Sequence, residues 1–332
     1  MKRVLFFFLL FLSELSFVGL PLAALADESP AVERGLDYFR RRLDAGIMPG
    51  DGAFKKNVAV TALVGMAFLS SGSTPLEGPD ASYVRRCVEL ILKSVQADGV
   101  IASPNASQQG TVYAHGFAVT FLAECLGMSS DDVRLRDVLR KGVERIVQAQ
   151  GPNGGWRYSF QPGEEDVSVT ACFLTALRAC RNAGISVPAE TVRKGVAYVL
   201  RCQNPDGGFR YRLVDGPSAW PRSAAAITAL CAAGTYDSPE IRRGIEYLKT
   251  ASQDSSRSPN DGYYFYAQYY AIQAFRLTQP EMPSESVRLI RELERDQKPD
   301  GSWLSSISLD HATAMALITL QAETNFLPIF QK

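Results

Sequence analysis

The sequence has no excess of charge of either sign. Lysine and arginine together number 35, aspartate and glutamate also number 35, and the formal net charge is zero. A nucleic-acid-binding domain needs a basic surface to neutralise phosphates, and this balance predicts none. Hydrophobic residues make up 46% of the chain and charged residues 21%, which is typical of a folded globular protein rather than a disordered one.

Patterns that bind metals are also lacking. The chain has only two histidines, no Cys-x-x-Cys pair and no closely spaced Cys and His, so neither a zinc site nor another cofactor is predicted. All six cysteines fall in apolar, helix-like stretches, which favours buried free thiols: Cys87, Cys125, Cys172, Cys180, Cys202 and Cys231. If a disulfide forms, we expect it to join Cys180 to Cys125 or Cys231.

Long hydrophobic runs are confined to the N-terminus. Lys2 and Arg3 precede an apolar run over residues 4–12, and Ala24-Leu25-Ala26 fits a small-x-small cleavage pattern. Residues 1–26 are therefore predicted to be a signal peptide cut after Ala26, which would make the mature chain secreted or periplasmic. An uncleaved signal anchor is the alternative. No later segment of the sequence is long and apolar enough for a transmembrane span.

A short pattern repeats six times along the chain. A charged residue is followed by a small or apolar residue and then by a helix-like segment, at intervals of 45 to 55 residues; the second residues are Gly35, Cys87, Gly142, Gly195, Gly244 and Leu289. Each copy starts a charged amphipathic helix, continues through a turn, and ends in a helix almost free of charge. The first helix type belongs at a surface and the second is buried on all sides.

Six alternating helix pairs predict an all-α fold. The simplest closed arrangement is an α6/α6 toroid, a double ring of six outer and six inner helices; an open solenoid is the alternative. A solenoid needs polar capping repeats, whereas the last inner segment, 312–320, is as apolar as the middle ones. No stretch resembles an interdomain linker, so residues 27–332 are predicted to form one domain.

The turns between the two helix types share a sequence. Three clear copies, each running from Gln through Gly to an aromatic residue, occupy 150–156, 203–209 and 297–303, and degraded copies begin at Gln96 and Gln253. Together with the preceding basic-Gly helix, this turn resembles the QW motif of triterpene cyclases. The chain is thereby identified as similar to the squalene–hopene cyclase and prenyltransferase repeat superfamily, whose members share the α/α toroid. Its length and its ending at 326–330 resemble secreted bacterial single-toroid members.

The resemblance implies where acid catalysis would reside. Class II cyclases of this superfamily protonate an alkene or epoxide with the middle Asp of a DxDDTA motif that opens an inner helix. Residues 166–171 read Asp-Val-Ser-Val-Thr-Ala, so Asp166 matches the first Asp while Ser168 replaces the acid and Val169 the third Asp. A serine hydroxyl cannot protonate an alkene, so standard squalene cyclisation is disfavoured. Asp166 is alternatively a helix N-cap.

The zinc site of the protein prenyltransferases is not matched either. Its Asp and Cys positions fall near Tyr264 and Tyr266, and His311, beside Asp310, lies near its His position. One His and one Asp do not make a three-ligand catalytic site, so zinc-dependent prenyl transfer is disfavoured and no metal ligand is assigned.

Several inner-helix residues are candidates for a cavity. Ser168, Pro221, Tyr266 and His311 occupy equivalent positions in repeats three to six, which predicts one shared level. The candidate cavity or ligand-binding residues are His115, Asp166, Ser168, Trp220, Tyr264, Tyr266, Gln268, Asp310 and His311. Aromatic faces line apolar pockets and also fill cores, and either histidine can be structural.

Three functions remain open from the sequence. The first is an exported toroid that binds or modifies an apolar, isoprenoid-like ligand without the standard acid, which predicts a deep, dry pocket. The second is a non-catalytic binding or scaffold protein. The third is a secreted polysaccharide lyase or hydrolase, since α/α toroids also carry those activities. Fold alone does not choose among them, and no catalytic residue is assigned.

Overall fold

The computed structural model describes residues 29–104, 106–214, 216–251, 261–279, 284–324 and 326–332. The predicted signal peptide, residues 1–26, lies outside the described residues. In chain order the described helices are α1 (Pro30–Asp44), α2 (Val58–Ser70), α3 (Ala81–Leu92), α4 (Gln108–Cys125), α5 (Asp132–Gln148), α6 (Val167–Asn182), α7 (Ala189–Arg201), α8 (Trp220–Ala232), α9 (Pro239–Ala251), α10 (Tyr264–Thr278), α11 (Ser284–Asp296) and α12 (Leu309–Leu320). The described chain contains no strand, only isolated bridge pairs at the turns.

Odd and even helices differ in how they are buried. In α2 every residue except Ala59 is buried, whereas in α11 only Ser286, Leu289 and Leu293 are. The difference follows from sequence, because α11 carries charges on all but one face and α2 carries none. The even helices therefore form the inner ring and the odd helices the outer ring, as the alternating pattern predicts.

The inner helices close on themselves. Each of α2, α4, α6, α8 and α10 packs against the next even helix, and α12 packs back against α2. The first outer helix also contacts α12. This closure confirms the predicted toroid and excludes the open solenoid.

The glutamine of each well-formed turn joins neighbouring repeats. The Gln150 side chain donates through Nε2 to the carbonyl of Gly154 in its own turn and to Thr191 at the start of α7. Gln203 bonds Gly207 and Glu240 of α9 in the same way. The last turn repeats the contact on the first helix, where Gln297 reaches the carbonyl of Ala31 at 2.8 Å.

The turn glycine and the basic-Gly helix fit against each other. Gly301 has φ of 91°, and a Cβ there would overlap the carbonyl oxygen of Arg34 in α1. Gly154 and Gly207 lie equally close to the carbonyls of Lys194 and Arg243. The recurrent basic-Gly pattern therefore marks the surface on which the preceding turn docks.

The turn aromatic fills the space beside that contact. Trp303 is fully buried, its indole N–H donates to the carbonyl of Leu293 at 2.8 Å, and a Cβ on Gly35 would press against its ring. Trp156 repeats this geometry with the carbonyl of Ile146 and with Gly195. Glycine fits in the outer helix because an inner-helix leucine, Leu317 or Leu174, and the aromatic ring together occupy the place of a side chain.

The C-terminal ends of the inner helices meet the end of the chain. Residues 326–332, here called the C-terminal tail, pack a short 3₁₀ turn, Pro328–Phe330, against α6 and α10. Leu327, Ile329 and Phe330 are buried there, and Arg178 of α6 donates to the carbonyl of Gln331. The tail therefore covers this side of the ring.

All six cysteines are buried free thiols, as predicted, and no disulfide joins Cys180 to Cys125 or Cys231. Among the described residues, no helix combines the length and the apolar character needed to cross a bilayer.

Replacing Gly301 with alanine tests the closing contact. The substitution forces a positive φ on alanine and places a methyl group on the carbonyl of Arg34. Gly234→Ala is the matched control, because Gly234 has φ of 93° with open space around it. We expect the control to lower the free energy of unfolding by about 1–2 kcal/mol and Gly301→Ala to lower it by roughly twice that or more. If chemical denaturation gave the same decrease in the free energy of unfolding for both variants, the close approach of Gly301 to Arg34 would not contribute to stability.

Candidate functional site

The repeated turns place one residue of each inner helix at a common level. The backbone N–H of Trp156, Phe209 or Trp303 donates to a hydroxyl on the following inner helix, that of Thr170, Ser223 or Thr313. Two positions before these hydroxyl residues lie Ser168, Pro221 and His311. The same count places Ala59, Tyr113 and Tyr266 at this level in α2, α4 and α10.

These six positions near the N-terminal ends of the inner helices are here together called the hollow. Each is half-buried, although in five of the six helices both adjacent residues are buried. Burial raises the pKa of the Tyr113 and Tyr266 phenols well above the ordinary value, because protein atoms surround both rings. Part of each side chain still remains accessible to solvent. Four of the six, Ser168, Pro221, Tyr266 and His311, are the residues that the sequence places at equivalent positions.

Ala59 and Tyr113 were missed from the sequence. The signal that marks them lies two residues later, where Thr61 bonds the carbonyl of its helix N-cap as Thr170 does. In α4 the corresponding residue is His115, which takes the place of the hydroxyl.

Aromatic side chains fill the ring axis below the hollow. Phe117 of α4 and Tyr269 of α10, which come from opposite sides of the inner ring, have ring centroids 6.2 Å apart. Tyr270 packs on Tyr269 at 4.9 Å and on Tyr266 at 4.8 Å. The expectation of a deep pocket is therefore not met at this level, because side chains from both walls meet there.

Two polar groups face the hollow without strong hydrogen bonds. The Tyr266 hydroxyl is buried without a well-formed bond, and the neighbouring Ser168 hydroxyl offsets part of the burial that raises its pKa. His311 packs edge-on against Phe54 at 5.4 Å, and burial lowers the pKa of its imidazole to about 4. His311 is therefore neutral at pH 7.

Asp166 lies beside the hollow as the N-cap of α6. Its fully buried carboxylate accepts from the Val169 N–H at 2.8 Å and from the Tyr211 hydroxyl at 3.2 Å, and it lies 3.7 Å from the Arg157 guanidinium. Burial raises the pKa of Asp166 to about 6, while these partners act in the opposite direction. The cap interpretation accounts for its contacts.

His115 lies away from the hollow, between α4 and α5. Its Nδ1 accepts from the Ile101 N–H at 3.1 Å and its Nε2 lies 3.1 Å from the carbonyl of Gly142, so Nε2 carries the proton. Burial lowers its pKa to about 4, which keeps the ring neutral. These contacts make it the turn-binding residue of the second repeat.

Asp310 points outward to the first repeat rather than into the ring. Its buried carboxylate accepts from the Tyr38 hydroxyl at 2.8 Å, the Arg42 guanidinium at 2.9 Å and the Gly50 N–H at 2.7 Å. The adjacent His311 faces the hollow. The two neighbouring candidates therefore lie on different faces of α12.

Trp220, Tyr264 and Gln268 line a cavity of about 240 Å³ between α8, α9 and α10, here called the side pocket, which shares Pro221 with the hollow. Gln268 is 1% exposed, and neither its amide oxygen nor its amide nitrogen has a hydrogen-bond partner. A buried polar group left unpaired costs about 1–3 kcal/mol. The nine candidates therefore divide into three in the hollow, three in the side pocket and three at structural positions, Asp166, His115 and Asp310.

Within the described part of the chain, no three His, Cys, Asp or Glu side chains are grouped so that they could hold a metal ion.

The pKa of Asp166 predicts a pH dependence of stability. Because the folded pKa of about 6 exceeds the ordinary 3.8, the folded state binds this proton more tightly than the unfolded state. The group stabilises the fold fully below about pH 4 and loses that contribution as pH rises through about 6. Asp166→Asn keeps an acceptor for the cap and cannot ionise, so its stability relative to the native chain should rise from pH 4 to 6.

Thermal melts across that range, with the exposed Glu144→Gln variant of α5 as control, measure the difference. Parallel curves for the native and Asp166→Asn chains would contradict a raised pKa.

Comparison with known sequences identifies relatives of the central repeats. Residues 112–270 match the squalene-hopene cyclase C-terminal domain. The squalene–hopene cyclase of Bradyrhizobium diazoefficiens is 30% identical over 151 residues, which cover 40% of this chain and 22% of that enzyme. The drimenyl diphosphate synthase of Streptantibioticus cattleyicolor is 28% identical over 154 residues, covering 44% and 27%. The matches thus span about a quarter of those enzymes.

Solved structures share the fold at lower identity. A type II terpene cyclase, MstE from Scytonema, in complex with its substrate geranylgeranyl dihydroxybenzoate, has a TM-score of 0.62 and 15% identity, covering 90% of this chain and 97% of its own. An α-1,6-mannanase of Salegentibacter has a TM-score of 0.61 and 9% identity, and the match covers 88% of this chain and 97% of the mannanase chain. These likenesses concern the fold alone.

The repeated turns, the closed ring and the sequence match over the central repeats agree with one another. Over residues 112–270 and in its fold, the chain is similar to members of the squalene cyclase and terpenoid cyclase superfamily.

Proposed function

We propose that this protein binds an apolar, isoprenoid-like ligand in the hollow and does not cyclise it. The observation that carries the proposal is the hollow itself: six half-buried positions on one level, of which Ala59, Tyr113, Pro221 and Tyr266 offer small, apolar or aromatic surface. Transfer of a hydrocarbon from water to such a surface is favourable by about 25 cal/mol per Å².

The filled axis limits how much of a ligand enters. Cyclisation of a long polyene requires that the whole chain be folded and shielded from water around the developing cation. The Phe117–Tyr269 contact occupies the centre of the ring. The hollow is therefore suited to the end of an isoprenoid chain rather than to a coiled polyene.

No strong acid lies on the level of the hollow. Ser168 stands where the resemblance to cyclases places the acid, and a hydroxyl cannot protonate an alkene. The Asp166 carboxylate is held by the cap, Tyr211 and Arg157. His311 is neutral, since burial lowers its pKa to about 4. The residues support binding without proton-initiated chemistry.

The predicted signal peptide places this binding outside the cytoplasm, in the periplasm or in the medium. A lipid-binding ring there serves to hold or carry a ligand whose hydrocarbon chain is poorly soluble in water. The C-terminal tail covers the opposite side of the ring, so the ligand enters from the mouth.

A non-catalytic scaffold is the second candidate. The aromatic contact across the axis favours it, because a filled centre also strengthens the ring as a rigid platform. Polysaccharide hydrolysis has less support, since it requires two carboxyl groups facing one substrate. The carboxylates near the hollow, those of Asp166 and Asp51, are both held by partners within the protein.

Filling the hollow tests the proposal. Ala59→Trp places a large ring at the level of Ser168, and Val133→Trp adds the same ring on the exposed face of α5, where Val133 is 88% exposed. Titration of the full chain with a fluorescent farnesyl probe should show saturable binding. We expect Ala59→Trp to weaken it at least about tenfold, or 1.4 kcal/mol, and Val133→Trp to leave it unchanged.

Incubation with squalene and with geranylgeranyl diphosphate, followed by gas chromatography of the products, should yield no cyclic hydrocarbon. Cyclic products that disappear in Asp166→Asn would contradict the assignment as a non-cyclising protein. Absence of probe binding in the native chain would favour the scaffold.

A further inference from the structure

We propose that the side pocket is a second binding site, which takes a single uncharged sugar ring through the Gln268 amide. This site shares only Pro221 with the hollow, goes beyond the proposed isoprenoid binding, and does not depend on it.

The Gln268 amide lacks partners among the described residues of the protein. Both its oxygen and its nitrogen are buried without a hydrogen bond, and the residue lines the pocket. Gln273, further along the same helix, donates through Nε2 to the carbonyl of Tyr269 at 2.9 Å, so only its oxygen is left without a partner among the described residues. A ligand that presents a donor and an acceptor side by side satisfies both atoms of Gln268, as two adjacent ring hydroxyls do.

The walls of the pocket are aromatic and held in place. The Trp220 indole N–H donates to the carbonyl of Leu248 at 3.0 Å, which fixes the ring and leaves its face to line the cavity. Tyr247 and Tyr264 form further walls. A sugar ring has one face of C–H groups and an edge of hydroxyls, and this division matches apolar walls with one polar amide between them.

Charge at the pocket excludes anionic ligands. No Lys, Arg or His side chain is among its described lining residues, and Asp261 contributes a carboxylate at the rim. Asp261 accepts hydrogen bonds, one of them from the Tyr263 N–H at 3.0 Å. A neutral ring with hydroxyl donors therefore fits, whereas phosphates and carboxylates are repelled.

The volume fits one ring. The cavity of about 240 Å³ is many times the roughly 10–15 Å³ that one water molecule needs on the same measure. It therefore has room for a pyranose ring, and a longer oligosaccharide has to extend into solvent.

Tryptophan fluorescence reports on this pocket selectively. Trp220 lines it, whereas Trp156 and Trp303 are fully buried in turns. The full chain is titrated with the methyl glycosides of glucose, galactose and mannose, and with uracil as a flat neutral ring. We expect a saturable change with at least one glycoside at millimolar concentration and none with uracil.

Two variants test the role of the amide. Gln268→Met should weaken glycoside binding at least about tenfold and raise the melting temperature, because it removes a buried amide that the free protein leaves unpaired. Gln273→Met on the same helix should leave the affinity unchanged, because Gln273 does not line the pocket. Asp261→Asn, at the rim, should weaken binding without changing stability.

Three results would overturn the proposal. They are the absence of saturation by every glycoside, binding of uracil instead of a glycoside, and a Gln268→Met chain that melts lower while keeping native affinity. Because the farnesyl probe reports on the hollow and the glycosides report on the side pocket, failure of one proposal is distinguishable from failure of the other.

Discussion

The structure depends on the close approach of each turn to the next outer helix. A glycine in the turn lies against the backbone carbonyl of a basic residue, Arg34, Lys194 or Arg243, and a buried ring packs against the glycine that follows that residue. The contact tolerates no side chain on either partner, so it fixes the distance and angle between repeats. Since the final turn makes it with the first helix, the repeats close into a ring instead of continuing as a superhelix.

Closure explains where a ligand can bind. Six inner helices that begin at one level bring one side chain each to the mouth, and these side chains form the hollow. Deeper in the ring, the larger residues Phe117 and Tyr269 span the axis, which gives the ring its core and limits the hollow to the entrance. The side pocket lies between neighbouring repeats instead of on the axis. The same architecture thus offers two kinds of cavity with different chemistry.

The fold was predictable because it follows from patterns that repeat. Charge content separates outer from inner helices, and the turn sequence recurs three times with little change. The site was less predictable, because two consecutive residues of a helix point in different directions, so an error of one position moves a side chain to another face of the helix. Asp310 and His311 are neighbours in sequence, yet one bonds Tyr38 and Arg42 while the other faces the hollow. His115 binds the backbone of a turn in which Ile101 replaces the aromatic residue, so its structural role was not visible in the sequence. Ala59 was missed because its methyl side chain carries no functional group.

Hydrogen exchange at the ends of the chain tests ring closure most directly. In a closed ring the first and last repeats have neighbours on both sides, so amides of α1 and α12 should exchange as slowly as those of the central helices α5 and α6. An open array leaves its terminal repeats with one neighbour each, and they fray first. Uniform protection across all six repeats is the result expected for a closed ring. Rapid exchange confined to α1 and α12, with slow exchange in the middle, would contradict it.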